Sequence, residues 1–214
     1  MMNIRALEAG PFQTMGYIAS DSAGNAFIVD VPLDSRERML GLIREYALSV
    51  QMILLTHGHF DHVGEVRALS ETLGVPVLIH SHDAALLERP MAMFASLDVV
   101  VDGLRATRFL SDEENVPCGS LNLRVLHVPG HTPGHVALYE QTEGVLFSGD
   151  VLFHSSIGRT DLPGGDYEAL MRSITERLLT LPDETVVYPG HGPHTTIGFE
   201  RAHNPFILDY LDHF

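Results

Sequence analysis

The sequence predicts one α/β domain spanning residues 1–214, with two mixed β-sheets packed face to face and helices on the outside. Three observations carry this. Short apolar strands alternate with segments of helical period, and each half runs strands, then helix, then strand and helix again. At 214 residues the chain is long enough to bury a large core in one unit. It shows no internal repeat, low-complexity tract or linker.

Taken in order, Ile4 to Leu7, Tyr17 to Ser20 and Ala26 to Val31 read as short strands, with turns at Gly10-Pro11 and Ala23-Gly24-Asn25. Such a run implies an antiparallel start to a sheet. Asp34 is expected to cap a helix whose buried stripe is Met39, Leu42, Ile43, Tyr46 and Ala47. Met52 to Leu55 reads as a buried strand, and Val63, Val66, Leu69 and Leu73 follow at helical spacing. Pro76 to His80 is another strand, and His82 to Glu88 a short helix. Residues 90 to 118 are the least legible. There Met91, Met93, Phe94 and Leu97 are expected to fill core rather than line a cleft, because soft side chains fill gaps. Leu121 to Val128 alternates as a strand, and Val136 to Tyr139 pairs with Val145 to Ser148 across Glu143-Gly144. Asp166 caps a helix carrying Tyr167, Leu170, Met171, Ile174 and Leu178, and Thr185 to Tyr188 is the last strand. Asn204-Pro205 supplies an N-cap and an N1 proline for a final amphipathic helix with Ile207, Tyr210, Leu211 and Phe214.

Composition excludes several classes of function. A net charge of −15 argues against nucleic acid or an anionic membrane as partner. All 13 basic residues are arginine, and the missing lysine excludes a Schiff-base enzyme and a Walker-type phosphate loop. The single Cys118 excludes an intramolecular disulfide and a four-cysteine zinc site; in Pro117-Cys118-Gly119 it is expected in a turn. No apolar stretch follows basic residues at the N-terminus, and no run is long enough to span a membrane, so a cytoplasmic protein is expected.

The chemistry concentrates in Thr56 to His62, which reads Thr-His-Gly-His-Phe-Asp-His in the turn between a strand and a helix. In an extended turn, residues two apart point the same way, which puts His57 and His59 on one side. Asp61 and His62 follow at the opening of the helix and face a neighbouring point. These four ligands suit one metal at the first pair and a second at the next. Imidazole with carboxylate is a ligand set for zinc, iron or manganese. Three distant turns repeat one grammar of strand, glycine, then ligand: His131 after Val128-Pro129-Gly130, Asp150 after Phe147-Ser148-Gly149, and His191 after Tyr188-Pro189-Gly190. Taken alone, each reads equally as an ordinary loop residue.

As an ordered set, these motifs resemble the metallo-β-lactamase superfamily. The motifs are His-x-His-x-Asp-His at 57–62, Pro-Gly-His-Thr-Pro-Gly-His at 129–135, Ser148-Gly149-Asp150, Gly158-Arg159-Thr160-Asp161 and Tyr-Pro-Gly-His-Gly-Pro at 188–193. The glyoxalase II-type, hydroxyacylglutathione hydrolase-like branch is the nearest in pattern. The resemblance implies a four-layer αββα sandwich and two divalent metal ions, zinc foremost, with iron or manganese as alternatives. It implies that His57, His59 and His131 hold the first ion, that Asp61, His62 and His191 hold the second, and that Asp150 bridges both with a water or hydroxide between them.

The implied reaction is hydrolysis of a small-molecule thioester such as S-lactoylglutathione, with Asp61 orienting the nucleophile and accepting its proton. A mononuclear-iron persulfide dioxygenase shares much of the pattern, but its last histidine is usually followed by Asp-Tyr, where this chain has Gly192-Pro193. Lactone hydrolysis uses the same metal core. True zinc β-lactamases commonly carry cysteine where Asp150 stands. Two-domain glyoxalase II enzymes bind glutathione through basic residues of a separate C-terminal helical region, and only 23 residues, 192 to 214, follow His191 here. Arg201, in a stretch resembling that family's ending, is the expected substrate-binding residue, with Arg159 next. Arg159 is also expected to pair with Asp161 and shape the loop. His135 is expected to support His131. His80, His82, His127, His154, His194, His203 and His213 read as surface or hydrogen-bonded histidines.

Overall fold

The computed structural model describes residues 1–90 and 99–213. Met91, Met93, Phe94 and Leu97, expected as core, lie outside the described residues, as does Phe214. Six strands in sequential order form the first sheet: β1 (Asn3–Ala9), β2 (Thr14–Ser20), β3 (Asn25–Val29), β4 (Ser49–Leu54), β5 (Val77–His80) and β6 (Arg108–Leu110). β1 to β3 are antiparallel, as expected, and β3 to β6 are parallel. The second sheet contains β7 (Asn115–Cys118), β8 (Leu121–His127), β9 (Val136–Glu140) and β10 (Val145–Gly149). After a small ribbon of β11 (Leu152–Phe153) and β12 (Ser156–Ile157), the chain adds β13 (Val186–Pro189) and β14 (Thr195–Thr196). β13 lies parallel to β10.

Three apolar clusters define the layers. Phe27, Leu54 and Leu78 of the first sheet meet Leu123, Val125, Leu138 and Phe147 of the second, so the sheets pack face to face. On the outer side of the first sheet, Ile28 and Ile53 pack with Met39 and Ile43 of α1 (Arg36–Glu45) and Leu69 of α2 (Val66–Leu73). On the outer side of the second, Leu146 and Val187 pack with Leu170 and Met171 of α4 (Tyr167–Arg172) and Ile207 of α6 (Pro205–Asp212). A short α3 (Ala84–Glu88) follows β5, and α5 (Ile197–His203) precedes α6. The four-layer order is therefore present. Central strands buried on both faces read as continuous apolar runs, which makes β3 and the Ile53-Leu54 end of β4 legible.

Several local expectations are corrected. Asp34 does not cap α1: it lies at φ 59, and Ser35 stands at the cap position with its hydroxyl turned to the Pro32 carbonyl. Glu65 instead accepts the first-turn amide of Arg36 at 2.7 Å. α1 ends at Glu45, so Tyr46 is exposed with Arg5 over its ring, and Ala47 turns the chain at φ 50. The helix after the histidine-rich turn opens at Val66, which leaves Asp61 and His62 in the turn rather than in a helix. Cys118 ends β7 instead of lying in a turn, and burial pushes its thiol up to about 11. The helix begun at Tyr167 passes into a π turn at Ser173–Arg177 and a 3-10 turn at Leu178–Thr180. Asp166 and Asn204 do cap, accepting from Ala169 and Phe206.

Candidate metal centre

Four strand ends converge at one edge of the sandwich. β8, β10 and β13 run in the same direction within the second sheet, because β8 and β10 each lie antiparallel to β9 and β13 lies parallel to β10. Their C-terminal ends therefore share an edge and deliver His131, Asp150 and His191. β4 delivers Thr56 to His62 from the other sheet. Met15 donates its amide to the Gly190 carbonyl, and Val136 donates to the Thr56 carbonyl, tying the two sheets at this edge. Gly190 is required by close approach: a Cβ there would stand 2.0 Å from Asp150 Oδ1.

The candidate ligand atoms form two sets. His59 Nδ1 lies 3.1 Å from His57 Nε2 and 2.9 Å from His131 Nε2. The tautomers of His131 and His57 follow from their outward partners. His131 Nδ1–H donates to the Arg159 carbonyl. The Thr56 hydroxyl donates to Asp30, so it accepts from His57 Nδ1–H. His57 and His131 thus both aim an Nε2 lone pair inward at His59 Nδ1, where lone pairs facing one another repel unless a cation stands between them. In the second set, Asp61 Oδ2 lies 3.6 Å from His62 Nε2 and 3.4 Å from His191 Nε2. His62 Nδ1–H donates to Asp30 and His191 Nδ1–H to the Phe12 carbonyl, which again turns Nε2 inward. Asp150 sits between the sets, its Oδ2 3.5 Å from His131 Nε2 and 3.4 Å from His191 Nε2. Buried His62 Nε2 and Asp150 Oδ1, 3.2 Å apart, make no hydrogen bond among the described residues. The donor set fits two cations.

Charge divides the same way. Burial and the neighbouring rings hold His57 well below its ordinary value and bring His59 down to about 3, so both stay neutral. For His62, burial opposes charge, but Asp150, Asp61 and Asp30 outweigh it and raise the ring well above its ordinary value. His191 rises to about 9 against its burial, through hydrogen bonds to Asp150 and Asp61. Burial works against ionised Asp61, yet His62 and His191 bring it down to about 2.

The sequence model of the metallo-beta-lactamase superfamily matches residues 10–191. The chain belongs to the metallo-beta-lactamase superfamily. Hydroxyacylglutathione hydrolase GloC of Haemophilus influenzae is 39% identical over 96% of this chain and 98% of its own length. The solved BLEG-1 B3 metallo-beta-lactamase is 41% identical, with a TM-score of 0.90, covering 96% of this chain and 99% of its own. TTHA1623, solved in a di-iron-bound form, is 44% identical, with a TM-score of 0.84, covering 94% of this chain and 99% of its own.

In this member of the metallo-beta-lactamase superfamily, a cleft of about 390 Å³ opens beside the two sets, walled by Phe12, Phe60 and Leu162, with Arg159 at its lining. Arg159 also forks onto Asp161 at 2.7 Å for each contact. Arg201 is not in the cleft lining. Its guanidinium is held by Asp183 and by the Leu179 and Leu181 carbonyls, so its expected role in substrate binding is corrected to a structural one. His135 stacks on His57 at 4.7 Å, accepts the Asp150 amide and lies 5.9 Å from the His131 ring at a steep angle, so it braces Asp150 as well as His131. His154 stacks on Phe199.

Three supporting residues escaped the sequence reading. Asp30 holds His62 directly and His57 through Thr56. Buried Asp83 accepts from the Gly58 amide at 3.0 Å, the Thr132 hydroxyl at 2.7 Å and the Gly134 amide at 2.7 Å, clamping the backbone around three ligands of the first set. Thr14 donates to Asp61 at 2.8 Å. A signal existed for Asp30, a lone acid inside the apolar run 26–31; Thr14 and Asp83 carry none.

Proposed function

We propose that this chain is a binuclear metal-dependent hydrolase of thioesters, of the S-lactoylglutathione kind. The observation that carries this is the convergence of His57, His59 and His131 nitrogens within 2.9 to 3.1 Å, beside a second set reached by the same Asp150. His57, His59 and His131 would hold one ion, Asp61, His62 and His191 the other, and Asp150 both. Zinc suits imidazole with carboxylate, and the di-iron-bound relative supports iron as another occupant. Divalent ions in such a pair supply an acidified water and polarise a carbonyl oxygen.

The chain's own residues do the rest. Thr14 fixes the direction of the Asp61 carboxylate, which is ionised and able to take a proton from the attacking water. Phe12, Phe60 and Leu162 wall the cleft and limit bulk water beside the carbonyl. A thiol of ordinary pKa near about 8.5 leaves as thiolate without a general acid. That matches a cleft lining in which Arg159 is the one protonated group outside the ligand sets, among the described residues. The name of the 39% identical relative supports the thioester class. The likeness to BLEG-1 favours a second reading, hydrolysis of a β-lactam amide, and the β-lactam arm of the test separates the two.

The test is thiol release from a panel of thioesters by metal-loaded protein, with a β-lactam in parallel. Metal-dependent thiol release is expected, at least about 100-fold weaker in Asp150→Ala because one carboxylate serves both sets. A metal-loaded protein inert towards every thioester would overturn the reading.

A further inference from the structure

A third convergence of histidines lies outside the centre just described. His80 ends β5 in the first sheet, His82 follows in the 3-10 turn Ser81–Asp83, and His127 ends β8 in the second sheet. One ring nitrogen from each lies within 4.8 Å of the others. His80 is buried at 8% exposure, His127 is half-buried and His82 is exposed, so the group has a protected floor and an open mouth. The rings touch: His80 and His127 stack at 4.3 Å, and His82 stands edge-on to His80 at 4.7 Å. In the sequence all three read as surface or hydrogen-bonded histidines.

We propose that His80, His82 and His127 form a separate binding site for a first-row divalent transition metal of the zinc or copper class. Three imidazoles with an open fourth position are a ligand set for such ions. Tautomer and charge both suit it. His127 Nε2–H donates to the Pro133 carbonyl at 2.9 Å, which leaves Nδ1 with its lone pair. Burial and the two neighbouring rings bring His80 down to about 4, so it is neutral, the form that binds metal. Asp112 adds negative charge nearby, but its oxygens are taken by Arg177 and the His127 amide, so it is not a ligand.

Coordination replaces the stack. Imidazole lone pairs lie in the ring planes, and two rings only 12° from parallel must turn to aim at one ion. His80 Nδ1 also accepts a long 3.3 Å hydrogen bond from the His82 amide. The site therefore binds more weakly than the catalytic centre and fills after it. An ion here links the two sheets one residue away from Asp83, the carboxylate that clamps the first ligand set.

Zinc binding by equilibrium dialysis tests this, with His82→Ala and His127→Ala beside the natural chain. His82 is exposed, so its replacement leaves the fold intact, and uptake at the catalytic centre serves as internal control in every sample. The natural chain should bind one zinc per chain more than either variant, or bind that zinc at least about tenfold more tightly. Equal uptake at equal affinity by the natural chain and either variant overturns the proposal. The readout is independent of any hydrolytic activity.

Discussion

Asp83 carries neither substrate nor ligand, yet it spans the two segments that do. Its carboxylate is buried, a position that pushes its pKa up, and three donors offset the cost of its charge. Asp83→Ala leaves the Gly58 and Gly134 amides and the Thr132 hydroxyl without this acceptor. Each buried donor left unpaired costs about 1–3 kcal/mol. The expected outcome is a large loss of thermal stability together with weaker uptake of the ion at His57, His59 and His131, read by unfolding and by competition with a chelator. Asp83→Asn, which keeps the shape, should lose less of both.

The candidate ligands stand out in the sequence because four of them crowd into residues 57–62 and the others each follow a glycine after an apolar strand. Supporting residues were harder to read, since a single acid or threonine reveals nothing of a partner distant in sequence. Arg201 was misread for the same reason: sequence position suggested a substrate, whereas folding brings Asp183 and two carbonyls to it. Arg201→Ala should lower stability by about 1–2 kcal/mol, discounted because the side chain is partly exposed, and leave KM for glutathione thioesters unchanged. A raised KM at unchanged stability would contradict this.

At the scale of elements, strands buried on both faces were read well and short or irregular pieces were not. β6, β7, β11, β12 and β14 are each two to four residues long, too short to set a period. α5 was also missed; Thr196 caps it and buried Glu200 anchors it by accepting from Thr195, Asn204 and the Ser155 amide. The cap of α1 illustrates a tertiary override. The local sequence suggests a cap at Asp34, but the acceptor is Glu65, 29 residues on from the Arg36 amide it takes. Glu65→Ala should destabilise the fold by about 1 kcal/mol, the ordinary cost of a lost cap, and a denaturant midpoint unchanged from the natural chain would refute that role.

The molecule as a whole brings two differently charged ligand sets to one edge. His57 and His59 are neutral over the physiological range, whereas His62 and His191 hold protons in the metal-free chain, the latter to about 9. An ion binding Asp61, His62 and His191 must therefore displace protons, and each proton weakens binding about tenfold per pH unit below the ring's pKa. Lowering the pH from about 8 to about 6 should release this ion first, while the ion on His57, His59 and His131 stays. In the metal-free chain the raised rings favour the folded state most below the free imidazole value near about 6.5, and that contribution fades as pH rises through about 9. Simultaneous loss of both ions on acidification would contradict the division.

In the proposed hydrolase the two sets act as one catalytic unit through Asp150. The most direct test is to titrate metal-free protein with zinc while following thiol release from S-lactoylglutathione. Activity should stay low through the first equivalent, rise with the second and then level off, with further zinc adding nothing to the rate. Full activity at one equivalent, or none at any loading, would contradict it.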